Sequence, residues 1–365
     1  MSRTTLFLAM VFAPLAWPQA DTLVSPEVGP DRRVTFRLRA PKAAEVTLGM
    51  DYMPPGTSEK MARDSEGVWS VTIGPLDPTV YVYWFTVDGV TMPDPVNPNI
   101  KLRARTSASM VEVPAESPAL WEARDVPHGG VEINWQKSAV LNGETRWIWV
   151  YTPPGYEKDS KQRYPVLYLF HGSNDTAAGW TLAGHANFIL DNLLAEKKAV
   201  PMIIVMPFGH AVPFGGRGGQ VNNTDLYEQY VVKDVMPLVE SKYRVRAGRE
   251  NRAIAGLSMG GGQSIAIGFR HLDLFSAIGA FSAAIPGDFE KEFGQKIANA
   301  KDVNAKLKVL WLACGKQDTL FERSQKFSDL LDAHQIKHTF RPSEGAHVFK
   351  VWRLYLSEFA PLLFR

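Results

Sequence analysis

The five residues Gly256-Leu257-Ser258-Met259-Gly260 carry more structural information than any other stretch of this chain. They follow a short apolar run, residues 253–255, which is typical of the end of a buried strand. The spacing G-x-S-x-G is typical of a serine on a sharp turn between a strand and a helix, where glycines let the backbone pass closely. We expect a helix to follow and end near Arg270, so that its first N–H groups lie close to the serine hydroxyl.

Polar residues also follow three other predicted strands. Residues 171–175 come after the apolar run that ends at Phe170, Asp318 comes shortly after the run 309–313, and His347 comes after a predicted strand near residues 339–340. Because the carboxyl ends of parallel strands meet at one edge of a sheet, we expect these residues to lie near Ser258. Their order along the chain is Ser, Asp, His, which is the order of an α/β-hydrolase triad.

These residue types match the steps of acyl transfer. Ser258 is the candidate nucleophile, His347 the base that takes its proton, and Asp318 the carboxylate that orients the imidazole. The candidate donors to the oxyanion are the backbone N–H groups of Met259 and of Ser173 or Gly172. Other interpretations stay open: Asp318 as a helix N-cap and His347 as an ordinary loop histidine. We expect His171 to shape the oxyanion loop rather than to act as a base.

The chain is long enough for two domains, with 365 residues. After a candidate signal peptide, residues 1–20, the segment 21–115 has short alternating strands and the turn Asp88-Gly89, which predict an immunoglobulin-like β-sandwich. Residues 116–143 form a connector and a first strand. In the segment 144–365 strands alternate with helices, which predicts an α/β-hydrolase catalytic domain with a mostly parallel sheet.

The N-terminal residues favour export, because a basic residue is followed by an apolar stretch too short to span a bilayer. The predicted location is therefore secreted or periplasmic. The net charge is only +2 and no block of like charge occurs, which argues against nucleic acid as a partner. The single cysteine, Cys314, has no partner for a disulfide within the chain.

The motifs resemble carbohydrate esterase family 1, the esterase D and feruloyl esterase group to which enterochelin-type esterases are related. The stretches that carry the resemblance are 171–180, 205–210, 256–261, 314–318 and 345–353. The N-terminal segment is similar to the early-set, glycogen-binding-like sandwich found fused to such esterases. The resemblance implies the roles already given to Ser258, Asp318, His347, Ser173 and Met259. One departure is that the loop His171-Gly-Ser-Asn-Asp175 lacks the small residue that many relatives carry after the serine.

The resemblance implies a serine esterase that removes feruloyl groups from plant xylan or xylo-oligosaccharides, without a cofactor or metal ion. Trp180, Phe208 and Phe214 are candidates for stacking on the acyl ring, with ordinary packing as the alternative. Three other functions stay open: an acetyl xylan esterase, a siderophore esterase, and a carbohydrate-binding protein with a degenerate hydrolase domain. The sequence does not indicate whether the sandwich binds sugar, nor the oligomeric state.

Overall fold

The computed structural model describes residues 23–54, 56–212, 222–287 and 289–365. The predicted signal peptide and Phe214 lie outside these ranges. Within them, none of the helices combines the length and the hydropathy needed to cross a bilayer.

The N-terminal part consists of two antiparallel sheets that face each other. One sheet has the strand order β1-β2-β6-β5; the other has the order β4-β3-β7-β10-β9, and β8 pairs with β7. The predicted alternation places Val34, Phe36 and Leu38 in the core between the sheets. In the turn after β7, Asp88 and Gly89 have φ angles of 46° and 86°, as a tight hairpin requires. The strands are β1 (Glu27–Val28), β2 (Val34–Arg39), β3 (Val46–Met50), β4 (Glu59–Lys60), β5 (Ala62–Arg63), β6 (Val68–Ile73), β7 (Thr79–Val87), β8 (Val90–Met92), β9 (Ile100–Lys101) and β10 (Ala108–Val113).

The C-terminal part is built on an eight-stranded sheet of order β11-β12-β14-β13-β15-β16-β17-β18. The first two strands form an antiparallel hairpin, and the pairs from β14 to β18 are parallel. The strands are β11 (Gly130–Lys137), β12 (Thr145–Thr152), β13 (Val166–Phe170), β14 (Ile203–Pro207), β15 (Arg252–Leu257), β16 (Ala277–Phe281), β17 (Val309–Gly315) and β18 (Thr339–Ser343). Strands β13 to β16 are buried almost throughout, as expected of strands covered on both faces.

Helices cover both faces of this sheet, which confirms the α/β-hydrolase fold behind an N-terminal β-sandwich. They are α1 (Gly179–Leu182), α2 (Ala186–Ala195), α3 (Asn223–Tyr230), α4 (Met236–Lys242), α5 (Met259–Arg270), α6 (Phe289–Ile297), α7 (Ala300–Lys306), α8 (Phe321–Ala333) and α9 (Phe349–Phe359). A turn of π-helix, Val231–Val235, joins α3 to α4. The side chains of one sheet face and of α2 and α9 share a core cluster with Val82 and Met110 of the sandwich.

Two buried cationic side chains, Arg353 and Lys101, form polar contacts between the sandwich and the α/β domain. The Arg353 guanidinium on α9, 1% exposed, donates hydrogen bonds to the carbonyl oxygens of Ala183 and Val80 and to the Thr79 hydroxyl. Lys101 on β9 lies 3.4 Å from the Asp175 carboxylate in the loop after β13. The sandwich is therefore held against the loop that precedes α1, which is one of the loops predicted to form the site.

The turn between β15 and α5 depends on the absence of a side chain at Gly256. A Cβ atom there would lie 2.5 Å from the carbonyl carbon of Gly260 and 2.9 Å from the Phe170 carbonyl oxygen. Because both contacts are with backbone, we expect Gly256→Ala to lower the free energy of unfolding by about 1–3 kcal/mol. Urea unfolding followed by circular dichroism measures this loss.

Gly294 offers a matched control inside α6, because a Cβ atom there would meet nothing within 4 Å. We expect Gly294→Ala to raise the free energy of unfolding by about 0.5–1 kcal/mol, as alanine favours helix more than glycine does. Equal unfolding midpoints for the two variants would contradict the close approach at Gly256.

Candidate active site

Ser258 stands on a strained turn between β15 and α5. Its φ and ψ angles are 54° and −116°, a region that residues with a side chain seldom adopt. Hydrogen bonds hold it there: its N–H donates to the Phe281 carbonyl at 2.9 Å, and its carbonyl accepts from the N–H groups of Gly262 and Ala284 at 3.1 and 2.8 Å. Such strain persists only where the surroundings enforce it, and it is typical of a nucleophile presented above a sheet.

Asp318 and His347 come together from the loops after β17 and β18. The His347 Nδ1 donates to the Asp318 Oδ2 at 2.7 Å, and the Leu320 N–H donates to the other carboxylate oxygen at 2.9 Å. The Asp318 side chain is fully buried, whereas 34% of the His347 side chain is exposed. Burial alone would raise the pKa of Asp318, but the hydrogen bonds and charge of His347 and the Leu320 N–H outweigh it and lower the pKa below its usual value. The carboxyl group is therefore ionised at neutral pH.

Sequence reasoning missed two residues that hold this pair. The Trp352 indole on α9 packs edge-to-face on the His347 ring, with 4.8 Å between ring centroids, and its Nε1 donates to the Ser282 hydroxyl at 3.1 Å. Ser282 also lowers the pKa of Asp318 by hydrogen bonding. Nothing in the local pattern around Ser282 marks it, since its role depends on the neighbouring strand β17.

Ser258 and His347 line the same open cleft, which has a volume of about 320 Å³. Gly172 and Ser173, in the loop after β13, line it as well. Gly172 packs so closely that a Cβ atom on it would lie 3.3 Å from the Ser258 Cβ. The Met259 N–H is the first of α5, and the first N–H groups of a helix have no acceptor within it. The structure thus brings the predicted nucleophile, base, acid and oxyanion loop to one edge of the sheet.

Two histidines hold the predicted oxyanion loop, residues 171–175. The buried His171 donates from Nδ1 to the Gly172 carbonyl and accepts the Gly209 N–H at Nε2, each at 2.8 Å. His210 donates to the Ser173 carbonyl at 2.7 Å. Because backbone groups occupy both nitrogens of the His171 ring, it has no free nitrogen to serve Ser258 as a base.

The neutral His171 ring makes the fold sensitive to acid. Burial lowers the pKa of His171 from 6.5 to about 4. The unfolded chain takes up this proton near pH 6.5, whereas the folded chain takes it up only near pH 4. Stability is therefore lost as the pH falls through this window, by up to about 3 kcal/mol from this group. We expect the urea midpoint of the wild type to fall more steeply between pH 7 and 4 than that of His171→Gln; parallel curves would contradict this.

Two of the three aromatic residues predicted to stack on the substrate, Trp180 and Phe208, are described by the structure, and neither lines the cleft. The prediction for Trp180 is wrong, because the residue is 1% exposed, donates from its indole to the Phe170 carbonyl at 2.9 Å and packs on Phe281 and Phe349. Phe208 does not line the cleft; it stacks on His171 and carries the Arg146 guanidinium over its ring. Phe214 lies outside the described residues.

The family model described as "Putative esterase" matches residues 138–362. The chain belongs to this esterase family. It is 32% identical over 350 residues to an endo-1,4-beta-xylanase/feruloyl esterase of Xylanibacter ruminicola, an alignment that covers 93% of this chain and 46% of that protein. It therefore spans about half the length of this relative.

Solved structures extend the likeness to the whole fold. A ferulic acid esterase is 30% identical with a TM-score of 0.56, covering 64% of this chain and 96% of its own. The enterobactin esterase of Shigella flexneri is 18% identical with a TM-score of 0.66, covering 90% of this chain and 92% of its own. The second match includes the sandwich and shows that the two-domain fold occurs elsewhere.

The sandwich supplies one wall of the cleft. Trp84, Lys101 and Arg103 line it together with Asp51 and Val82, opposite the residues of the α/β domain. Burial raises the pKa of Asp51 to about 6, against the lowering effects of the Val82 N–H and of nearby cations. The described residues contain no group of three or more histidine, cysteine, aspartate or glutamate side chains placed to hold a metal ion.

Proposed function

We propose that this esterase removes hydroxycinnamoyl groups, feruloyl above all, from plant xylan or xylo-oligosaccharides through an acyl-enzyme on Ser258. One observation carries the proposal. A strained serine lies in one cleft with a histidine whose Nδ1 is bound to a buried carboxylate at 2.7 Å. That arrangement suits a hydroxyl that must lose its proton as it attacks a carbonyl carbon.

The proposed reaction has two halves. The Ser258 Oγ attacks the ester carbonyl carbon while its proton passes to the His347 Nε2, and Asp318 stabilises the imidazolium. The N–H groups of Met259 and Ser173 bind the oxyanion of the tetrahedral intermediate. When the intermediate collapses, the C–O bond to the alcohol breaks and His347 returns the proton to the departing oxygen. Water, deprotonated by the same histidine, then releases the acid and restores the serine.

The substrate class comes from the relatives. The Xylanibacter protein is named as a xylanase and feruloyl esterase, and a 30% identical structure is a ferulic acid esterase. An ester-bearing polysaccharide outside the cell suits the apolar N-terminal stretch, so the proposal includes export of the enzyme to the periplasm or medium.

The preferred acyl group is tested by measuring, with chromatography, the release of ferulate, p-coumarate and acetate from arabinoxylan. We expect kcat/KM for ferulate release to exceed that for acetate release by at least about tenfold, a difference of about 1.4 kcal/mol in transition-state binding. Faster release of acetate would instead make the enzyme an acetyl xylan esterase.

The fold also keeps a siderophore esterase as a second candidate. The match with the enterobactin esterase covers 90% of this chain and so extends over both domains, and the sandwich places the cationic Arg103 in the cleft. The other cation, Lys101, is already paired with Asp175, so the wall is not strongly positive. Hydrolysis of a tris-catecholate lactone at a kcat/KM above that of methyl ferulate would favour this candidate.

A further inference from the structure

Arg103 occupies an unusual position in the wall that the sandwich gives to the cleft. Its guanidinium carbon lies 4.9 Å from the centroid of the Trp84 ring, and both side chains line the cleft that contains Ser258 and His347. Trp84 is itself fixed, because its indole lies over Gly49 of the neighbouring strand β3, where a Cβ atom would come within 2.5 Å of the ring. A rigid aromatic platform therefore holds the guanidinium at the cleft.

The hydrogen-bond donors of Arg103 have no protein acceptor within the part of the chain that the structure describes. Burial lowers the pKa of Arg103, and the carboxylates of Asp51 and Asp175 oppose this effect. Its neighbour Lys101 differs, since it is paired with Asp175. The donors of a guanidinium at the wall of a cleft can therefore bind oxygen atoms of a ligand.

The contacts of Lys101, two residues before Arg103, indicate which half of the ester this wall meets. The sandwich wall meets the α/β domain beside the loop that carries His347. There the Lys101 ammonium lies 4.7 Å from the ring centroid of Phe349, which comes two residues after His347. In serine esterases the histidine delivers the proton to the departing alcohol, so the alcohol half lies on the histidine side. For the proposed substrate this half is the sugar.

The charges of the wall indicate the chemical class of ligand. Arg103 offers donors, while the nearby Asp51 carboxylate offers an acceptor and would repel an anion. Neighbouring hydroxyl groups of a neutral sugar both donate and accept, so they match this mixed wall better than a uronate does.

We propose that Arg103, held on Trp84, is a specificity-determining residue that binds hydroxyl groups of the neutral sugar on the alcohol side of the ester. This inference rests on the proposed function. It assigns the sandwich a direct part in substrate binding at the catalytic cleft.

The test compares two substrates with the same acyl group in the full-length enzyme. One is a feruloylated arabinoxylo-oligosaccharide and the other is methyl ferulate, whose alcohol offers no sugar hydroxyls. The measured quantity is kcat/KM for the oligosaccharide divided by kcat/KM for methyl ferulate. We expect Arg103→Met, which keeps an apolar stem over Trp84, to lower this ratio at least about tenfold, and Arg103→Lys to lower it less. Arg63→Met changes an exposed arginine on the other sheet of the sandwich and serves as the matched control.

Binding measured by calorimetry separates this inference from the proposed function. With Ser258→Ala as background, we expect the unesterified arabinoxylo-oligosaccharide to bind, and Arg103→Met to raise its Kd about tenfold. An unchanged kcat/KM ratio together with an unchanged Kd would overturn the inference, as would tighter binding of a uronate-bearing oligosaccharide than of the neutral one. Failure of the wild type to hydrolyse either ferulate ester would overturn the proposed function, and the binding measurement would still decide the role of Arg103.

Discussion

Ser258→Ala is expected to lower kcat for methyl ferulate by about 10⁵-fold or more, because no other group can form the acyl-enzyme. The change removes one oxygen atom from a half-buried side chain and leaves the backbone hydrogen bonds of the turn in place. We therefore expect the variant to keep the free energy of unfolding of the wild type to within about 1 kcal/mol. The slow residual rate would reflect the oxyanion donors and substrate binding alone.

A fluorophosphonate probe gives a second readout of the same residue. Mass spectrometry should place the adduct on Ser258 in the wild type and find none in the alanine variant. Ser241→Ala, which changes an exposed serine on α4, should keep full labelling and full activity. If Ser258→Ala kept a tenth of the wild-type activity, or if the wild type were not labelled, the interpretation as a serine hydrolase would be wrong, and a degenerate hydrolase domain would be favoured.

The grouping of Ser258, Asp318 and His347 at one edge of the sheet could be predicted because its signals are local. Each signal spans only a few consecutive positions: an apolar run, such as β13, β15 or β17, and the glycines or polar residues that directly follow it. Parallel strands then bring these ends to one edge whatever the details of packing. The strands of the sandwich could be predicted as well, because alternation of apolar and polar residues is a property of each strand by itself.

The sandwich wall of the cleft could not be predicted, because it depends on how two domains dock. Arginine is a residue type that mostly faces solvent, yet Arg353 on the C-terminal helix is buried between the domains. Arg103 belongs to no motif, and only the docking of the two domains brings it to the cleft that Ser258 also lines. The prediction for Trp180 failed because it used only the local sequence. An aromatic residue after a strand end suggests a binding site, but helix α1 places this side chain in the core, where it contacts the Phe170 carbonyl.

The second large effect is expected for Asp318→Asn, which should lower kcat by about 10⁴-fold. In the structure the carboxylate accepts from the His347 Nδ1, which leaves Nε2 unprotonated and able to take the serine proton. An amide NH₂ in this place would donate to Nδ1 and shift the ring proton to Nε2, the tautomer that cannot act as the base. Because the aspartate and asparagine side chains have nearly equal volumes, the packing around Trp352 should stay unchanged. The effect should therefore fall on kcat rather than on stability.

Glu344→Gln is the matched control for the loss of a carboxylate near the same loops. Glu344 is exposed and contacts Lys316 and Gln317 instead of the imidazole, so we expect its amide variant to stay within about threefold of the wild type. Stopped-flow measurement of the acylation burst with a chromogenic ferulate ester would show whether Asp318→Asn slows acylation itself. A loss below tenfold for Asp318→Asn, or an equal loss for Glu344→Gln, would mean that Asp318 caps the turn before α8 and does not set the tautomer of the base.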